Sequence, residues 1–70
     1  MVIIIKSHLK EVRGKRGVSV RKLAALTGMS KTYISNVENN NSIPTIYTLC
    51  LMAVALNVSP EQLYSFRVTP

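Results

Sequence analysis

The chain has 70 residues, 47% of them hydrophobic, a net charge of +6 and a single cysteine, Cys50. That length fits one small domain spanning residues 1–70, and the lone cysteine excludes an internal disulfide framework and suits a reducing, cytoplasmic setting. The longest apolar run, residues 46–56, is interrupted by Thr48 and is about half the length of a membrane span.

The chain opens on Met1-Val2-Ile3-Ile4-Ile5, which has neither the preceding charges nor the cleavage site of a targeting segment. A first helix is predicted over about residues 5–15, because Ile5, Leu9 and Val12 recur at helical spacing while Lys6, Lys10 and Lys15 take the other face. A competing reading makes the β-branched residues 2–5 a short extended strand, paired with residues 66–68 or with another chain. Gly17 suits the left-handed position just past the first helix. Ser19 is an N-cap for a second helix over about residues 20–27, with Val20, Leu23 and Ala24 inward and Gly28 closing it.

Ser30 caps a third helix, about residues 31–39. Ile34 and Val37 are its core residues, and Thr32, Ser35, Asn36 and Asn39 lie opposite. The polar run of residues 39–42 with Pro44 behind it reads as a loop. Thr45 caps a fourth helix over about residues 46–56, with Ile46, Leu49, Cys50, Ala53 and Leu56 as its expected core stripe. Tyr47, Leu51 and Val54 lie off that stripe, so this helix is apolar almost all round and needs cover on a second face. Ser59-Pro60-Glu61 combines an N-cap, a first-position proline and an acidic first turn, which predicts a fifth helix over about residues 60–66. The expected architecture is all-α, a compact bundle of five helices.

Charge is distributed unevenly. Residues 1–31 hold eight Lys/Arg against Glu11, a net +7, while residues 32–70 hold Arg67 against Glu38 and Glu61, a net −1. Such asymmetry points to a polyanionic partner engaged by the N-terminal half. With one histidine and no aspartate, no Ser/His/acid or Cys/His set can be assembled, so catalysis is not expected. His8 and Cys50 lack ligand partners at metal spacing, so no metal or cofactor is expected; His8 reads as a surface residue and Cys50 as a core one.

The informative unit is the second helix, the turn at Gly28 and the third helix. Two short helices joined by a tight turn can lay the second across a duplex groove while the first braces it. Ala24 is small where the helices cross, and Ile34 and Val37 hold the polar side of the third helix outward. These anchors, with Leu23-Ala24, Gly28-Met29-Ser30, Tyr33-Ile34-Ser35, Val37-Glu38-Asn39, Pro44, Leu49 and Ala55-Leu56-Asn57-Val58-Ser59, resemble the XRE-type helix-turn-helix family of phage lambda repressor and Cro. The resemblance covers roughly residues 9–66. Thr27 departs from the family, where an apolar residue is usual, and so does Asn40, where glycine is common.

The resemblance implies a five-helix fold that binds operator DNA, usually as a homodimer. It places Lys31, Thr32, Ser35 and Asn36 at base edges, where Asn can bond adenine, Lys can reach guanine and Thr can touch a thymine methyl. Ser19, Arg21, Ser30, Tyr33, Asn39 and Asn41 become candidates for the DNA backbone, and Arg13 is expected to pair with Glu38, as similar positions do in the family. For Tyr33, packing against the second helix competes with a backbone contact. For the base-reading set, the competing interpretation is an ordinary solvated helix face. Tyr47, Leu51, Val54, Phe66 and Val68 are the candidate dimer surface. The reading that follows is a sequence-specific regulator of double-stranded DNA. Its rivals are a protein-interaction module that reuses the fold, antitoxin-like or polymerase-docking, and a basic membrane-surface binder.

Overall fold

A computed structural model describes residues 1–70. In chain order the elements are strand β1 (Val2–Ser7), helices α1 (Leu9–Lys15), α2 (Val20–Thr27), α3 (Lys31–Glu38) and α4 (Ile46–Leu56), one 3₁₀ turn (Pro60–Leu63), and strand β2 (Tyr64–Thr69). The five-helix all-α expectation is therefore wrong at both ends of the chain. There are four α-helices and a two-stranded antiparallel sheet. The expected first helix loses residues 5–8 to a strand and a cap, and the expected fifth helix is a single turn that runs straight into β2. Residues 64–69 alternate Tyr-Ser-Phe-Arg-Val-Thr at period two, and Val2-Ile3-Ile4-Ile5 is β-branched throughout. Pairing in the register Ile3↔Val68, Ile5↔Phe66 and Ser7↔Tyr64 satisfies the facing backbone groups of both segments at once.

Three of the four helices start where the side chain of a short polar N-cap residue takes an orphan N–H. Ser19 Oγ accepts from Lys22 N–H at 3.1 Å, Ser30 Oγ from Tyr33 N–H at 3.0 Å, and Thr45 Oγ1 from Thr48 N–H at 3.1 Å. Gly28 ends α2 in the left-handed conformation, φ +74°, a position where a Cβ would be strained. Thr27 is accommodated at the same corner: its hydroxyl donates to Leu23 C=O at 2.7 Å and accepts from Met29 N–H at 3.3 Å, so the polar residue leaves nothing unpaired.

The core is formed by Leu9, Leu23, Ile34, Val37, Met52, Ala53, Leu56 and Leu63, so every helix and the 3₁₀ turn contribute. The expected stripe of α4 is rotated. Ile46 and Cys50 are exposed, while Met52, Ala53 and Leu56 are buried. A helix apolar on all sides carries no periodic signal of which side faces in, and packing against α2 makes that choice. Arg16 adds an unexpected tie, its Nε donating to Leu56 C=O at 3.0 Å and closing the end of α4.

Asn40 explains its own departure from glycine. Its φ is +61°, and its Oδ1 accepts from Ser7 N–H at 2.8 Å, fastening the end of β1 to the turn that follows α3. Asn tolerates the left-handed region better than other side chains, and its amide supplies a bond that glycine cannot make. Asn40→Gly is expected to cost about 1 kcal/mol through the lost bond, and Asn40→Ala about 2 kcal/mol because strain is added. Urea denaturation of the two variants checks this; equal losses would mean that φ is not the issue.

Candidate nucleic-acid interface

α2 and α3 are joined by only Gly28-Met29-Ser30 and pack on each other, with Leu23 of α2 and Ile34 of α3 both fully buried in the core. Ile34 and Val37 lie on one side of α3 with 0% and 2% of their surface exposed. The opposite side is what the helix offers to a partner. There Thr32 is exposed and Ser35 and Asn36 are half-buried, and Lys31 is exposed at the edge of that side. Lys31 and Thr32 open the first turn of this eight-residue helix, and Ser35 and Asn36 follow one turn later. Lys31 has no acidic partner within salt-bridge distance, so its ammonium is free to seek an anion.

The residues proposed for the DNA backbone fall into two groups. Ser19, Arg21 and Ser30 stand at the first turns of α2 and α3; Arg21 is exposed, and the two serine hydroxyls act as caps that each keep a hydrogen to donate. Asn39 and Asn41 are exposed beyond the C-terminal end of α3. Asn41 N–H donates to Asn36 C=O at 2.8 Å, which fixes that turn. Tyr33 is half-buried and packs against the core cluster, which leaves only part of its ring open.

Arg13 and Glu38 tie α1 to the end of α3. Arg13 Nε donates to Glu38 Oε2 at 2.7 Å and Nη2 reaches Oε1 at 3.4 Å, a fork-to-fork pair, while Nη1 donates to Val18 C=O at 3.1 Å. The Glu38 side chain is 7% exposed and that of Arg13 16%, so the pair is a clamp inside the domain and adds no charge to its surface. No buried side-chain nitrogen or oxygen lacks a partner, and no cluster of His, Cys or Glu could hold a metal. Tyr47 and Val54 on α4 and Phe66 and Val68 on β2 are exposed, while Leu51 is half-buried. Sequence reasoning marked Asn40 only as a departure from glycine and missed its bond to Ser7, 33 positions away.

A braced helix with an outward polar face, reached through a three-residue glycine turn, defines a helix-turn-helix protein. A family model described as helix-turn-helix matches residues 9–63. The HTH-type transcriptional regulator SutR of Escherichia coli is 43% identical over 54 residues, which cover 77% of this chain and 30% of that protein. Among solved structures, the restriction-modification controller protein C.AhdI from Aeromonas hydrophila superposes with a TM-score of 0.73 at 30% identity, covering 77% of this chain and 82% of that one. The biofilm master regulator SinR, solved in complex with DNA, superposes with a TM-score of 0.70 at 33% identity, covering 76% and 86%. The chain belongs to the XRE-type helix-turn-helix family.

Proposed function

We infer that this chain is a sequence-specific, double-stranded DNA-binding transcriptional regulator that lays α3 in the major groove and acts in the cytoplasm without catalysis of its own. The observation that carries this reading is the outward polar face of α3, held in place by Ile34 and Val37 beneath it. Two copies would bind a two-fold related operator, with half-sites about 10 bp apart. The relatives named above, one of them solved on DNA, support the same reading. No helix is long and apolar enough to cross a membrane.

In this reading Lys31, Thr32, Ser35 and Asn36 meet base edges, while Ser19, Arg21, Ser30, Tyr33, Asn39 and Asn41 meet phosphates. Base contacts carry sequence information and phosphate contacts do not, so the two sets respond differently to substitution. Asn36→Ala or Lys31→Ala is expected to relax preference at one base pair and to cost about 1–3 kcal/mol on the preferred site. Arg21→Ala is expected to weaken all sequences alike. Selection from random duplexes followed by binding assays on each variant tests both statements, and a selection that enriches no motif overturns specific readout.

The interaction-module reading draws on α4, where Ile46, Tyr47 and Val54 are 81%, 76% and 78% exposed. It requires the absence of DNA affinity even at low salt, which the same binding assay measures.

A further inference from the structure

The ribbon formed by β1 and β2 has two unlike sides. Side chains directly opposite in an antiparallel pair share a side, so the register puts Ile3, Ile5, Phe66, Val68 and Tyr64 with Ser7 on one of them. The other side carries Lys6 and Arg67 among Val2, Ile4, Ser65 and Thr69. At its base the uncharged side covers a cavity of about 130 Å³ against the loop that holds Ile43 and Pro44. Further out Phe66 is 64% exposed and Val68 53%; Ile3 lines the cavity yet is 49% exposed, and across the cavity Ile43 is 73% exposed.

We propose that this side of the ribbon is the face through which a second copy of the chain docks, so that the homodimer is held by the sheet and not by α4. The proposal rests on the homodimer reading above and names its interface. Three observations select a second copy as the occupant. A lone two-stranded ribbon is marginal in water and gains by adding a layer. With on the order of 200 Å² per large side chain, Ile3, Ile5, Tyr64, Phe66, Val68 and Ile43 together present roughly 600 Å², close to the ~800 Å² that each partner of a stable interface buries. Each copy carries +6, and none of the nine basic side chains stands on this side, so like-charged copies can meet here without opposing their charges. The ribbon is also fastened to the end of the α3 segment through Ser7 and Asn40, so a dimer made this way sets the spacing of the two α3 helices.

Sedimentation equilibrium of the wild-type protein and of Phe66→Glu tests the proposal. The symmetric interface meets the new charge twice, and the dimer dissociation constant is expected to rise at least about 100-fold. Circular dichroism of the variant is expected to keep the helical signal. An independent readout uses the native thiol. Cys50 is exposed on α4 and stands on neither strand, so dimers joined through the ribbon should form no Cys50 cross-link on oxidation, whereas Cys50→Ser combined with Val68→Cys should cross-link. A monomeric wild-type protein overturns the proposal. So does a Phe66→Glu protein that stays dimeric while Tyr47→Glu dissociates, or a native Cys50 cross-link. A DNA titration run alongside separates the two readings: dimers that bind no DNA retire the regulator and leave the interface standing, while DNA-binding dimers joined through α4 do the reverse.

Discussion

Glu38→Gln is expected to cost about 3 kcal/mol of stability, more than any exposed ion pair would. The carboxylate is 7% exposed and takes two bonds from Arg13, so its neutral replacement leaves without a counter-charge a guanidinium that is itself only 16% exposed. Breaking a buried pair by removing one partner costs about 3–5 kcal/mol, because the surviving charge stays desolvated without compensation. Exposed pairs contribute only about 0–1 kcal/mol. A domain of this size has on the order of 3–5 kcal/mol in total, and each kcal/mol moves its melting temperature by about 4–8 °C. The variant should therefore melt roughly 12–24 °C lower, with its α3 poorly held.

The double variant Arg13→Leu/Glu38→Met separates the clamp from its desolvation. Replacing both partners by apolar residues removes the buried charge altogether, and most of the lost stability should return. Thermal melts of Arg13→Leu, of Glu38→Met and of the double variant form a mutant cycle. A single-variant loss below about 1 kcal/mol would place the pair among ordinary surface ion pairs and remove the clamp.

DNA affinity is expected to fall about 10³-fold between 50 and 200 mM salt, the response to roughly six neutralised phosphates. The whole N-terminal excess of +7 is not available for this. Arg13 is committed to Glu38 and Arg16 is tied to the carbonyl of Leu56, whereas Arg21, Lys22 and Lys31 have no acidic partner. Arg21→Ala should then reduce the slope of log affinity against log salt by about one unit. Asn36→Ala should leave the slope unchanged, because a neutral base contact releases no counterion. A flat salt response of the wild-type protein would retire the phosphate-tracking part of the regulator reading.

The local chemistry of the chain is legible in its sequence. Ser19, Ser30 and Thr45 mark the three helix starts because a cap is a contact made within three residues, and Gly28 marks a stop because only its own backbone is involved. α2 and α4 occupy the expected residues 20–27 and 46–56 for that reason. The burial of Ile34 and Val37 opposite a polar face is likewise a consequence of helical period.

What the sequence did not decide is everything that depends on residues far apart in the chain. Residues 2–7 and 64–69 become strands only because each is the other's partner, and their spacing alone fits a helix turn as well. Helix α4 could have turned any side inward, and contact with α2 selected Met52 over Cys50. Caps, turns and period are written in neighbours a few positions apart, so one sequence suffices to read them. Strand pairing, the rotation of a uniformly apolar helix and the bond from Asn40 to Ser7 are choices among distant partners, and only the folded chain makes them.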